Sequence, residues 1–218
     1  GDATDLYNST SEGSNDVALA ERAILWIKPD LIFVYDRAAS KSAGKFKRWW
    51  LQLPTPATIA GNQATMTTAS GQQLFITNLL PTDATLTAVN SNEQIINETA
   101  ASDDPMQVRL RVDAPGNPKE ARFLHLLQSA DAGFAADSAT LVRTQGNGFE
   151  GIIVQNTVVL FPVQRTPIAT TLNYTVPFAT KNHFVTGLKP NTGYLVLYPR
   201  VGENLEVQIS EGGSRQTD

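Results

Sequence analysis

Short runs of β-branched and aromatic residues, separated by turn residues, recur along the whole 218-residue chain. The clearest pair lies in AERAILWIKPDLIFVYDR, where Lys28, Pro29 and Asp30 separate two apolar runs. Proline presets a turn dihedral angle and cannot donate a backbone hydrogen bond, so this segment predicts a β-hairpin. Apolar residues occupy both alternating faces of each run, which indicates strands buried on both sides.

The same pattern predicts strands along the rest of the chain, whereas helix signals are weak. The best helical window, residues 131–138, is short and contains Gly133, so at most one helical turn is expected there. Regularly spaced short strands favour an all-β fold, and we predict a large two-sheet antiparallel β-sandwich of about fifteen strands. Besides the hairpin, the predicted strands are residues 47–53, 64–69, 73–77, 84–89, 107–112, 122–128, 139–142, 151–155, 158–163, 172–176, 183–186, 194–198 and 205–209.

The domain organisation is predicted from where polar, turn-rich segments fall. Residues 1–16 are polar and are predicted to form an N-terminal arm or loop, and the Gly-rich residues 211–218 a flexible tail. Residues 17–210 are predicted to form a single β-sandwich domain, because no long linker divides them. The most linker-like stretch, residues 97–105, is interpreted as a surface loop.

Composition excludes several classes of function. With 17 Lys and Arg against 21 Asp and Glu and no basic stripe, the chain is not expected to bind nucleic acid. The absence of Cys excludes disulfides and thiolate metal sites but leaves the compartment open. No stretch reaches the ~18 to 20 apolar residues of a membrane span. The start at Gly1 predicts a processed or excised piece of a longer protein.

Three segments in order resemble the β-sandwich region that follows the helical toroid in the heparinase II/III family of polysaccharide lyases. They are GDATDLY, ERAILWIKPDLIFVYDR and FKRWWLQLPTP. The segments FLHLLQ and VTGLKPNTGYLVLYPRVGENLEVQIS are similar to later strands of the same region, so the resemblance covers nearly the whole chain. Residues 188–194 also resemble a turn of fibronectin type III domains.

In that family the catalytic residues are a Tyr and a His of the toroid and a His of the early β region, with a metal site in some members. The resemblance begins downstream of these motifs, so no catalytic or metal-binding residue is carried over and no cofactor is predicted. It implies a bacterial module that walls one side of a substrate cleft and is inactive alone. It also implies an upstream helical domain, a uronate-containing polysaccharide and a periplasmic or extracellular location.

The residues themselves offer little for proton transfer. Abstraction of the proton next to a uronate carboxylate needs a base and a group that neutralises the carboxylate. His125 lies in FLHLL on the same side as Phe123 and Leu127, which predicts a hydrogen-bonded core histidine. His183 is too distant along the chain, and too far from acidic residues, to predict zinc. Ser102-Asp103-Asp104 is interpreted as a solvated turn.

Sugar binding is the other chemistry considered, because sugar C–H faces stack on aromatic rings while Arg pairs with carboxylates or sulfates. Trp49 and Trp50 are adjacent on a predicted strand, so their side chains point to opposite faces. One is predicted to be core, and the other, near Arg48 or Lys47, is the best candidate for a sugar contact; the alternative is a Trp at the edge of the sandwich that a loop covers. The candidate substrate-binding residues are Arg48, Trp49, Trp50 and His125, while Asp36-Arg37 is predicted to pair with a neighbouring loop.

Three functions stay open from the sequence. The first is the C-terminal β-sandwich module of a heparinase II/III-like lyase, which would need residues supplied upstream for β-elimination. The second is a free-standing carbohydrate-binding module, which would need an exposed aromatic platform within the chain. The third is a structural or adhesive sandwich domain without a ligand, in which Trp26, Trp49 and Trp50 would all be core.

Overall fold

A computed structural model describes residues 1–8, 13, 15–89, 108–165 and 171–216. The predicted surface loop at 97–105, with its Ser102-Asp103-Asp104 turn, lies outside these residues. Within them the chain is almost entirely β-structure, which confirms the all-β prediction. Residues 131–138 hold no helix, and the one α-helical turn lies instead in the predicted arm, at Thr4–Tyr7 (α1).

Eighteen strands occur in the described residues. Each predicted strand overlaps one of them, and the alternation of apolar residues therefore located the strands well. Three short strands, β4, β16 and β18, were not predicted. The strands are β1 Val17–Ile27, β2 Leu31–Ser40, β3 Arg48–Leu53, β4 Ala57–Ala60, β5 Gln63–Thr67, β6 Gln73–Leu80, β7 Thr85–Val89, β8 Val108–Asp113, β9 Glu120–Ala130, β10 Ala139–Arg143, β11 Phe149–Val154, β12 Thr157–Pro162, β13 Leu172–Pro177, β14 Asn182–Val185, β15 Gly193–Leu197, β16 Arg200–Val201, β17 Asn204–Glu211 and β18 Arg215–Gln216.

The chain groups into two compact units, residues 1–136 and 137–218. The sequence placed no boundary between β9 and β10, because the segment that joins them is short and has no linker composition. The single domain over residues 17–210 stays a prediction.

The first unit is a sandwich of two antiparallel sheets. A six-stranded sheet has the order β1-β2-β9-β6-β5-β4, and a three-stranded sheet has the order β3-β8-β7. Alternate residues of both sheets point between them, where burial of apolar area is the main stabilising term. This core contains Val34, Trp49, Leu53, Ala64, Met66, Ile76, Leu110, Val112, Ala114, Ala121, Phe123 and Leu127.

The second unit also has two sheets. Its four-stranded sheet, β10-β11-β12-β14, contains one parallel pair, β12 with β14. The other sheet has the order β13-β17-β15-β18, with β16 beside β17. The described strands thus form four sheets, where the sequence suggested two, because alternation identifies the faces of a strand but not its neighbours. The core contains Val142, Phe149, Val158, Leu160, Leu172, Tyr174, Val176, Tyr194, Val207 and Ile209.

Strand β2 is buried on both faces, as the apolar hairpin sequence predicted, and so is its neighbour β9. The same prediction was wrong for β1, which lies at the edge of the sheet and has no buried residue. Phe33 and Tyr35 point to one face and Val34 to the other, and all three are at most 5% exposed. Val34 lies opposite His125 of β9, which places this histidine on the core side of the six-stranded sheet.

Candidate functional site

Strand β3 divides its side chains between the core and the solvent side of the three-stranded sheet. Trp49 and Leu53 point into the core, so Arg48, Trp50 and Gln52 point outward. Strand β8 pairs with β3 such that Asp113, Arg111 and Arg109 lie opposite these three residues. Residues directly opposite each other share a face, and the six side chains therefore form one surface, the outer face.

The ring of Trp50 is flanked by two cations on the outer face. The guanidinium carbon of Arg109 lies 4.9 Å from the ring centroid, and that of Arg111 lies 5.9 Å from it. Both distances permit cation–π attraction, which favours Arg over Lys at such a ring. Trp50 itself is half-buried, so part of the ring remains accessible.

Asp113 fixes two of the arginines of the outer face. Its carboxylate accepts a hydrogen bond from Arg48 Nε at 2.5 Å and another from Arg111 Nε at 2.7 Å. Arg48 also lies over the exposed ring of Phe46, 4.5 Å from its centroid. Among the described residues of this face, three arginines and one aspartate carry charge, so these residues together are positive although the chain carries a net charge of −4.

The sequence alone indicated Arg48 and Trp50 as candidates but not Arg109 and Arg111. The signal was present in QVRLRVD, where the two arginines alternate with apolar residues on a predicted strand. What the sequence could not show is that this strand pairs with β3, more than 50 residues earlier.

Trp49 and His125 are core residues, which corrects their assignment as candidate substrate contacts. His125 is 0% exposed and Trp49 is 3% exposed, so neither can reach a polysaccharide at the surface. Their ring centroids lie 3.9 Å apart. Lys47, the alternative cation, is also buried and donates to Ser40 Oγ and to the carbonyls of Lys45 and Pro118.

His125 is not the hydrogen-bonded histidine that the sequence predicted. Neither ring nitrogen has a hydrogen-bond partner among the described residues. Burial lowers the pKa of His125 to about 3, and the positive charge of Arg22 acts in the same direction. The imidazole is therefore neutral at pH 7 and is shielded from any substrate proton.

Asp36 and Arg37 pair with a strand, whereas a loop was predicted. Arg22 of β1 binds Asp36 at 2.7 Å, and Glu21 of β1 binds Arg37 at 3.2 Å. These residues face each other in the β1–β2 register, which is a pairing that sequence alone does not specify. Burial raises the pKa of Asp36, and the hydrogen bond and charge of Arg22 oppose that rise.

The second histidine belongs to an aromatic cluster in the second unit. Nδ1 of His183 lies 3.0 Å from the hydroxyl of Tyr174, and its ring centroid lies 5.6 Å from that of Tyr198. Burial lowers the pKa of His183, with the nearby Thr180 carbonyl opposing it, and burial raises the pKa of Tyr174 well above its usual value. Both groups are neutral at pH 7, and Tyr174 is buried.

A second tryptophan is accessible on β1. Trp26 is 57% exposed, and its neighbour on the same face, Ile24, is 62% exposed. The Lys28 ammonium lies 5.2 Å from the Trp26 ring centroid, and Trp26 Nε1 donates to the Pro29 carbonyl. The structural-domain alternative required Trp26 and Trp50 to be core, and neither is.

The described part of the chain lacks two features, a cluster of metal-ligating side chains and a helix able to span a membrane. No three His, Cys, Asp or Glu side chains there come together as a potential metal site. None of its helices is long and apolar enough to cross a membrane.

Comparisons with known proteins give a likeness in structure. No family model matches the chain, and no curated protein matches it. A solved structure of heparan sulfate lyase HepC from Pedobacter heparinus is similar at a TM-score of 0.49, and a mutant of the same lyase at 0.48, both with 17% sequence identity. Each match covers 68% of this chain and 24% of the lyase chain. Family membership stays a prediction.

Proposed function

We propose that this chain is the C-terminal β-sandwich module of a heparinase II/III-like polysaccharide lyase. In this role it contacts a uronate-containing polysaccharide through the outer face and supports one side of the substrate cleft. The residues that perform β-elimination belong to an upstream helical domain of the parent protein. The parent protein is bacterial and acts in the periplasm or outside the cell.

The outer face is the observation that carries this proposal. The accessible part of Trp50 offers an aromatic surface to the C–H face of a sugar ring, which prefers such stacking. Arg109 and Arg111 flank the ring within 6 Å, where guanidinium groups can pair with carboxylates of the same saccharide. A positive face on an acidic chain selects an anionic ligand over a neutral one.

The placement of the histidines supports a role in binding rather than in chemistry. A base for elimination must come within hydrogen-bond reach of the substrate proton. His125 is enclosed in the core, while His183 faces Tyr174 in the other unit. His125 is therefore out of reach of a uronate held by the arginines of the outer face.

A free-standing carbohydrate-binding module is the second candidate, and the exposure of Trp26 favours it. Such a module needs an aromatic platform within its own chain, which Trp26 or Trp50 could supply. The native reading frame separates the two candidates. The lyase module requires several hundred residues of helical domain before Gly1, whereas the free-standing module requires none.

The proposal is tested by measuring binding and turnover in the same samples. The purified chain is titrated with heparin, chondroitin sulfate and alginate, with neutral dextran as the matched control, at low and high salt. We expect binding to the three acidic glycans that weakens with salt, because screening reduces charge pairing at exposed sites. We expect no rise in ultraviolet absorbance from an unsaturated product. Equal binding to dextran, or clear turnover, would contradict the proposal.

A further inference from the structure

Strand β1 lies at one edge of the six-stranded sheet, and only part of that edge is paired. Gly1 and Arg22 exchange two main-chain hydrogen bonds, of 2.7 and 2.9 Å. Asp2 forms an antiparallel bridge with Glu21, and Ala3 donates to the Ala20 carbonyl. The first residues of the chain therefore run antiparallel to β1 as an additional strand that ends opposite Arg22.

Beyond Arg22 the outer edge of β1 has no partner among the described residues. In an antiparallel sheet the N–H and C=O groups of a residue point to the same side, and the side alternates along the strand. Those of Ala20 and Arg22 point outward to the arm, so those of Ile24 and Trp26 also point outward. Of the strands that the structure describes, β2 pairs with this stretch, and it occupies the inner edge.

The same two residues expose apolar side chains. Ile24 and Trp26 are both more than half exposed, which is unusual for consecutive positions on one face of a strand. An exposed, apolar edge strand with unpaired backbone groups is a template for another strand. Charges, prolines or bulges normally protect such an edge, and residues 23–27 contain none.

We infer that the polypeptide leading from the upstream helical domain into Gly1 continues along β1 as a strand and completes this edge of the sheet. The inference rests on the proposed function for the existence of that domain. The main-chain pairing at Gly1 and Asp2 determines both the antiparallel direction and the register. The second residue before Gly1 lies opposite Ile24 and the fourth lies opposite Trp26, each in a hydrogen-bonded pair. These two positions carry apolar side chains, which cover Ile24 and Trp26.

Amide hydrogen exchange tests this register. It is measured in the parent protein with its upstream helical domain, here the longer protein, and in the 218-residue chain. In the 218-residue chain we expect the amides of Ile24 and Trp26 to exchange at least tenfold faster than that of Leu25, which points to β2. In the longer protein we expect all three to exchange slowly. Fast exchange at Ile24 and Trp26 in the longer protein would overturn the inference and leave the proposed function intact. A gene that encodes nothing before Gly1 would contradict both the inference and the proposed function.

Proline substitution gives an independent readout. Ile24→Pro removes an outward N–H, and proline is tolerated on an edge strand where that group has no partner. We expect this variant to lower the melting temperature by several degrees more in the longer protein than in the 218-residue chain. The matched variant Leu25→Pro removes a backbone hydrogen bond to β2 and should lower the melting temperature of both proteins. Equal effects of Ile24→Pro in the two proteins would contradict the inference.

Discussion

Trp49 and Trp50 are consecutive in β3 and have opposite environments. Trp49 is 3% exposed and lies 3.9 Å from His125 in the core, measured between ring centroids. Trp50 lies on the outer face, with the guanidinium groups of Arg109 and Arg111 within 6 Å of its ring centroid. One of the two therefore belongs to the core of the sandwich, and the other lies on the solvent side of the three-stranded sheet.

Alanine substitution should separate these two roles in a stability measurement. Trp49→Ala leaves a cavity in the core, and we expect it to lower the free energy of unfolding by about 3 to 5 kcal/mol. Trp50→Ala should lower it by less than ~1.5 kcal/mol, because this ring is only partly removed from water. Denaturant titration of both variants checks the difference, and equal losses would contradict the assignment of faces.

The arginines of the outer face should control the salt dependence of polysaccharide binding. Arg109→Gln with Arg111→Gln removes two charges, so the affinity for heparin should fall by about tenfold or more at low salt and respond less to added salt. Arg200→Gln is the matched control, because Arg200 also lies over an aromatic ring, that of Phe178, but belongs to the second unit. An equal loss in the control would indicate non-specific attraction.

His125 should make the protein sensitive to acid. Its pKa is about 3 in the folded chain, against 6.5 for the unfolded residue. Between these values the unfolded chain binds a proton that the folded chain does not. The contribution of neutral His125 to the free energy of unfolding is therefore fully present above pH 6.5 and is lost as the pH falls. The loss is about 1.4 kcal/mol per pH unit. In His125→Leu this component should be absent, which denaturant titration at pH 7, 6 and 5 would show as a shallower decline.

Lys47 should act as a structural lysine. Its buried ammonium group donates at 2.8 to 3.1 Å to Ser40 Oγ and to the carbonyls of Lys45 and Pro118, which joins three segments. Lys47→Met keeps the apolar stem but leaves these acceptors unpaired, so we expect a loss of about 2 to 3 kcal/mol in the free energy of unfolding. Lys45→Met, at an exposed position, is the control and should change it little. An unchanged free energy of unfolding in Lys47→Met would refute this role.

The sequence predicted most strands because alternation and turn residues are local signals. It also predicted that Trp49 and Trp50 face opposite ways, since that follows from strand geometry alone. It could not predict which strands become neighbours, and the number of sheets and the pairing of β3 with β8 were therefore missed. Arg109 and Arg111 became visible as part of a site only through that pairing. His125 was recognised as core, but its lack of hydrogen-bond partners depends on side-chain positions that the sequence does not encode locally.

The affinity of the Trp50→Ala variant for an acidic polysaccharide tests the central claim most directly. Trp26→Ala is the matched control, because Trp26 is also accessible and lies beside a cation, Lys28. Calorimetric titration with heparin should show at least a tenfold loss for Trp50→Ala and less than a twofold change for Trp26→Ala. Unchanged affinity in Trp50→Ala, with its fold intact, would contradict the assignment of the outer face as the polysaccharide-binding surface.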